Sequence, residues 1–217
     1  MAKLLRLFYS NGACSLAPHI ALEETGATFE PVRIDSASGE QRKPDYLRIN
    51  PKGRVPALGV DDWVLTENPA ILQFIATSFP DAKLWPEQLR DQARVTEWLG
   101  WIASTVHVAY AHVRRAERYA ESEEALKDVR AKGLETSRDL WRAVDARLGA
   151  GPWAIGDLYT VADPYLLVFW TWGRGPVLGF DMANDFPNWA AHAQRMANRP
   201  AVQRAFQREG LKLPAQS

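Results

Sequence analysis

Cys14 is the only cysteine of the 217-residue chain. It lies in Tyr9-Ser-Asn-Gly-Ala-Cys-Ser15, between an apolar run and the start of a helical pattern. Unpaired N–H groups and the dipole at a helix start favour negative charge, so a thiol there tends toward thiolate character. Ser15, its neighbour, could donate to a sulfur or cap the helix. The alternative for an isolated cysteine is a small buried residue. Val55-Pro56 sits in a loop before a strand-like run, where an X-Pro bond is sometimes cis. A cis bond would turn the Val55 N–H and C=O outward, ready to pair with an extended peptide. The alternative is an ordinary turn proline. Glu67-Asn68 precedes a helical pattern, so backbone N–H groups can hold a carboxylate there while Glu67 pairs with an amine. The alternative is a plain N-cap beside a solvent-facing glutamate.

The three features are more specific together than apart. They offer a thiol contact, a backbone edge and a clamp for an α-amino acid end group. A γ-glutamyl tripeptide carrying a thiol, glutathione, presents the matching set.

Alternating strands and helices must position these residues. Leu5, Leu7 and Tyr9 alternate with Leu4, Arg6 and Phe8 at a strand's period of two. The turn Asn11-Gly12-Ala13 leads to a helix over 15–25, with Pro18 tolerated only in its first turn and Gly26 as its stop. Phe29 to Ile34 reads as a second strand. Residues 35–54 are polar and broken by Pro44, Pro51 and Gly53. Ala57–Val60 and Trp63–Thr66 form a hairpin around Asp61-Asp62. A helix over 69–78 follows, with Asn68 as N-cap and Pro69 at its first position.

The pattern changes beyond a proline-marked linker over 80–86. Trp98, Ile102, Val106, Tyr110 and Val113 mark one face of a long helix over 88–119. A second long helix spans 122–148. Thr160-Val-Ala-Asp163 matches a capping box opening an apolar helix over 161–172, and shorter helices are expected over 187–198 and 200–208. The expected division is 1–79 for an α/β domain and 87–217 for an all-helical one.

The 26 basic and 26 acidic residues cancel without blocks of like charge, which argues against a nucleic-acid surface or a polybasic membrane anchor. No apolar run approaches the ~20 residues that cross a bilayer. The N-terminal residues lack a signal-peptide pattern, and a lone cysteine fits a reducing cytoplasm. It also excludes a Cys-x-x-Cys redox pair and a cysteine-rich zinc site. No metal is expected.

Tyr9-Ser-Asn-Gly-Ala-Cys-Ser-Leu-Ala-Pro-His-Ile-Ala-Leu22 resembles the N-terminus of bacterial beta-class glutathione transferases. Asn50-Pro-Lys-Gly-Arg-Val-Pro-Ala-Leu58, Leu65-Thr-Glu-Asn-Pro-Ala-Ile71 and Gly156-Asp-Leu-Tyr-Thr-Val-Ala-Asp-Pro-Tyr-Leu166 resemble further motifs of that family in register, so the likeness covers nearly the whole chain. The resemblance implies a thioredoxin-like glutathione-binding domain, an all-α domain supplying a hydrophobic substrate pocket, and a homodimer. It implies conjugation of the glutathione thiol to hydrophobic electrophiles in detoxification, with glutathione as co-substrate rather than cofactor. Cys14 and Ser15 match the family's thiol-contacting pair, Val55 before Pro56 its backbone edge, and Glu67 with Asn68 its γ-glutamyl clamp. His107 matches a histidine that reaches toward the glutathione site; by its own pattern it is equally an ordinary helix histidine. Two other readings stay open, thiol–disulfide exchange through Cys14 and non-catalytic carriage of glutathione or aromatic ligands.

Three departures stand out. Asn11 replaces a common proline, which should loosen the Cys14 loop. Asn68 replaces serine or glycine but can still cap and donate. Val108 stands where lysine often follows the histidine, removing one charge. Trp98, Trp101, Trp141, Trp170 and Trp172 could line a pocket for aromatic substrates but read mainly as helix-packing core, and Arg114, Arg115 and Arg118 read as a solvated face.

Overall fold

The structure, a computed structural model, describes residues 4–214. In chain order the strands are β1 Leu5–Tyr9, β2 Phe29–Arg33, β3 Ala57–Val60 and β4 Trp63–Thr66. The helices are α1 Leu16–Thr25, α2 Pro44–Leu47, α3 Asn68–Ser78, α4 Leu89–Trp101, α5 His107–Arg114, α6 Glu123–Leu148, α7 Ala162–Gly173, α8 Met182–Asp185, α9 Pro187–Ala197 and α10 Pro200–Glu209.

The four strands form one sheet in the order β2-β1-β3-β4. β1 runs parallel to β2, with Leu5 opposite Phe29, and antiparallel to β3, with Leu7 opposite Leu58. β3 and β4 pair as the expected hairpin, closed at Val60 and Trp63. The period-two pattern sorts β1 between layers. Leu5, Leu7 and Tyr9 join the main core under α1 and α3, while Phe8 packs with Ile34, Tyr46 and Ala57 on the other face. This is the thioredoxin-like sheet followed by a helical domain that the sequence resemblance implies. The polar stretch over 35–54 contains the short helix α2, whose Tyr46 supplies that second cluster.

The helical domain is joined to the sheet domain through α1, which packs against α7 and α10 as well as α3. Half of the expected capping box forms, and α7 begins at Ala162 with Val161 at the cap position and the Asp163 N–H bonded to the Thr160 carbonyl. Asp163 accepts the Thr160 N–H at 2.8 Å, and the Thr160 hydroxyl accepts the Ala162 N–H at 3.3 Å. Asp163 also accepts the Ala154 N–H at 2.8 Å and lies 3.0 Å from His192 Nε2. A fully buried carboxylate is retained only with such partners.

Two expectations need correction. The long helix over 88–119 is not one regular α-helix. α4 gives way to a π-helical segment, Ile102–Val106, before α5 resumes and stops at Arg114, followed by a 3-10 turn Ala116–Arg118. A π turn adds a residue per turn and re-aims the helix beyond it. The buried face therefore runs through Trp98, Ile102 and Val106 to Ala109 rather than Tyr110. Gly133 of α6 lets α5 approach, since a Cβ there would stand 2.7 Å from the His112 Cβ. Asn68 is not the cap of α3 but its first residue. Glu67 is the cap, at φ 74°, a conformation that costs a non-glycine residue energy.

Candidate active site

One cleft brings together most of the residues singled out in the sequence. Cys14, Val55, Pro56, Glu67, Asn68 and His107 line it, joined by Asn50, Arg54, Val108, Arg118, Tyr119 and Tyr165. Each arrives by a local necessity of the chain. Cys14 lies on the tight connection between β1 and α1, where Ala13 N–H bonds to the Ser10 carbonyl and Leu16 N–H to the Ala13 carbonyl, both 3.0 Å. Gly12 in this turn has φ 65°, which glycine adopts without strain.

The loop before β3 is fixed from below. The Tyr46 hydroxyl and Asn50 Nδ2 both donate to the Arg54 carbonyl, at 2.8 and 2.6 Å. Arg54 and Val55 are thereby held at the cleft wall, and the Val55-Pro56 bond is cis. The Cys14 thiol donates to the Val55 carbonyl at 3.5 Å, and Asn68 Nδ2 donates to the Cys14 carbonyl at 3.0 Å. Three chain segments are thus tied around one sulfur.

The Cys14 thiol is not activated by its helix start. Burial pushes it up to about 12, more than neighbouring hydrogen bonds lower it, and the Glu67 carboxylate adds to the rise. Desolvation disfavours the charged form, so Cys14 is a neutral S–H donor at physiological pH. Ser15 is a second correction. It is fully buried, and its hydroxyl accepts from the Ser10 N–H at 3.1 Å and donates to the Ser10 carbonyl at 3.2 Å. Ser15 braces the turn and does not line the cleft.

Glu67 projects outward and pairs with Lys52 Nζ at 2.6 Å. Beneath it α3 begins with Asn68 and Pro69, and the first intrahelical bond is Ile71 N–H to the Glu67 carbonyl at 2.9 Å. The helix start keeps its positive end facing the cleft. Asn68 is buried, and its Oδ1 has no partner among the described residues. A buried acceptor without a donor is costly.

His107 covers the cleft from the helical domain. Burial, followed by the guanidiniums of Arg54 and Arg118, lowers it to about 4, so its ring is neutral at physiological pH. The ring stands edge-on to Phe169 and Trp172, with centroids 5.5 and 5.2 Å away. Tyr165, read in the sequence only as part of an apolar helix, lines the same cleft, and burial raises its phenol well above the usual value.

Arg54 and Arg118 were not recognised in the sequence as site residues. Both line the cleft, and neither forms an ion pair among the described residues. Burial and then the guanidiniums of Arg115, Arg54 and Arg42 lower Arg118. Positive charge is therefore concentrated here despite Val108, the position where the sequence pointed to a missing lysine.

A second cleft lies beside the first, along α5 and the β1–α1 turn. Tyr110, Trp172, Val177, Phe206 and Leu211 give it an apolar floor, with Gly12, Arg114, Arg174 and Lys212 at its edge. Trp172 stacks on Tyr110 at 4.4 Å and separates it from His107. Of the tryptophans considered as pocket lining, Trp98, Trp141 and Trp170 are buried in the core, while Trp172 faces this cleft. The Cys14 loop is not loosened by Asn11 as expected. Asn11 Nδ2 donates to the Glu209 carbonyl at 2.9 Å, and the Gly12 N–H donates to the Glu209 carboxylate at 2.8 Å.

Residues 5–77 match the N-terminal domain of glutathione S-transferase and residues 103–200 its C-terminal domain. The chain belongs to the glutathione S-transferase family. Glutathione S-transferase GstA of Escherichia coli O157:H7 is 36% identical over 211 residues, covering 96% of this chain and all of that protein. A glutathione transferase homologue from sulfitobacter, solved with bound glutathione, superposes with a TM-score of 0.90 at 38% identity, covering 98% of this chain and 100% of that one. A sphingomonad glutathione S-transferase complexed with glutathione gives a TM-score of 0.82 at 40% identity, covering 95% of this chain and 100% of the other. The family likeness thus spans both domains and every segment that lines the first cleft.

Proposed function

We infer that this family member is a glutathione transferase that binds glutathione in the first cleft and a hydrophobic electrophile in the second. The observation that carries this reading is the convergence of Cys14, Val55, Glu67, Asn68 and His107 on one cleft, with an apolar cleft beside it that shares the β1–α1 turn through Gly12 and α5 through Tyr110 and Arg114. The γ-glutamyl ammonium pairs with Glu67, its carboxylate meets the N-terminus of α3, and the Asn68 Oδ1 accepts a ligand N–H. The Val55 backbone pairs with the cysteinyl unit. Arg54 and Arg118 take the glycyl carboxylate at the opposite end.

This pose leaves the ligand sulfur beside Cys14, beneath His107. On binding, the Cys14 S–H turns from the Val55 carbonyl to the ligand sulfur, and with a His107 N–H it stabilises the thiolate; each unit of pKa lowering is worth about 1.4 kcal/mol. The glutathione sulfur is the nucleophile, and the thiol proton leaves to solvent. Cys14 is too weakly ionised to act first, which favours conjugation over disulfide exchange as the main activity. Residues 1–79 supply most of the thiol site, completed by His107 and Arg118, and residues 87–217 most of the electrophile site, completed by Gly12; the working form is a cytoplasmic homodimer. Titration of bound glutathione by thiolate absorbance tests the reading. A thiol pKa lowered on binding supports it, and an unshifted one overturns it.

A further inference from the structure

The second cleft combines an aromatic floor with an unbalanced rim. Arg114 reaches it from the end of α5, Arg174 from just beyond α7, and Lys212 from the segment after α10. No Asp or Glu lines it. Arginines elsewhere, among them Arg6, Arg147, Arg199 and Arg204, hold carboxylates. Arg114, Arg174 and Lys212 form no ion pair among the described residues; Arg174 instead donates to the Lys212 carbonyl at 2.8 Å. Glu209, the nearest acid in sequence to Lys212, is turned into the core. One of its carboxylate oxygens accepts from the Gly12 N–H and the other lies 2.7 Å from His19 Nδ1. A chain with equal numbers of acids and bases has thus left three cations unopposed around one aromatic slot.

We propose that the electrophile taken by this cleft is an aromatic compound carrying a carboxylate, its ring on Trp172 and Tyr110 and its anion at the cationic rim. The inference rests on the transferase reading and deepens it by naming the substrate class. A chloronitrobenzoate illustrates the chemistry. The glutathione thiolate forms a C–S bond to the ring carbon bearing chlorine, chloride leaves with the electron pair of the broken C–Cl bond, and the thiol proton passes to water. No oxidant or reductant is required.

The test compares 4-chloro-3-nitrobenzoate with its methyl ester, using the full-length enzyme and glutathione, with each rate divided by its uncatalysed rate. The expected result is a KM about fivefold lower for the acid at low ionic strength, with the advantage shrinking as salt screens the rim. Arg114→Gln and Lys212→Gln should each move the acid's KM toward that of the ester. Efficient turnover of the ester with a KM equal to or below that of the acid would overturn the proposal and leave the transferase reading standing. Competitive inhibition by the acid without its conversion would also overturn it, since the anion would then be a ligand and not a substrate. Turnover of neither compound would remove the transferase reading and this inference together.

Discussion

The Trp172 indole N–H donates to the Gly12 carbonyl at 2.8 Å, joining α7 of the helical domain to the turn that carries Cys14. The same ring stacks on Tyr110 and meets the His107 edge. One side chain therefore fixes the sulfur-binding turn and touches the linings of both clefts.

Trp172→Phe keeps an aromatic surface, though a smaller one, and removes the donor. The loss of one hydrogen bond is expected to cost about 1 kcal/mol, or about 2–4 °C in Tm for a chain of this length. Thermal denaturation reads the stability, and a rise in KM for both substrates, measured by conjugation kinetics, reads the loosened turn.

Cys14, half-buried at the cleft, should behave as a poorly ionised thiol. With its pKa pushed up to about 12, only about one molecule in ten thousand carries the thiolate at pH 8. Alkylation by iodoacetamide at that pH should be far slower than for free glutathione and should accelerate when denaturant is added. Cys14→Ala removes one donor to the ligand sulfur, so conjugation should fall by about tenfold, whereas formation of a mixed disulfide with oxidised glutathione should vanish. Mass spectrometry and conjugation rates check the two outcomes separately.

His107 is held neutral down to about pH 4, against an ordinary value near 6.5. Between those values the unfolded chain binds more protons than the folded one, so stability rises with pH across that window. The contribution is present above about pH 6.5 and is lost progressively as pH falls toward 4, up to about 3 kcal/mol in all. His107→Phe should flatten this part of the stability profile in denaturant titrations. In the wild-type enzyme the conjugation rate should show no inflection from His107 between pH 6 and 8, a range about two units or more above its folded pKa.

Arg118 and Arg54 should discriminate at the glycyl end of the thiol substrate. Arg118→Gln is expected to raise the KM for glutathione by about fivefold while changing that for γ-glutamylcysteine, which lacks the glycine, much less. Steady-state kinetics with the two thiols and one electrophile gives the comparison. Equal losses for both thiols would place Arg118 elsewhere in the site.

The parts of the site legible in the sequence were those written into consecutive residues. Val55-Pro56 and Glu67-Asn68 each combine an element boundary with a reactive group, and the strand periodicity around them puts both at the sheet's end. What stayed hidden depends on distant packing. Cys14 sits at a helix start, but the burial that raises its pKa comes from residues far along the chain, and no local pattern reports that. Ser15 is adjacent to Cys14 in sequence, yet the turn sends its hydroxyl back to Ser10. Arg114 and Arg118 read as a solvated face because they are exposed; only the folded chain shows that they border clefts. Arg174 and Lys212 meet across 38 positions, a separation that no motif spans.

The π-helical segment Ile102–Val106 gives this arrangement a phase. Ahead of it, Val95, Trp98 and Leu99 of α4 are turned into the core; behind it, α5 presents His107 and Ala111 to one cleft and Tyr110 and Arg114 to the other. One residue in an α-helix is about 100° of rotation. Deleting a single residue from the segment would restore a regular helix, leave the composition of both domains almost untouched and swing all four side chains away from their clefts. The angular setting of the electrophile site relative to the glutathione site is therefore encoded in a count of residues rather than in the identity of any one of them.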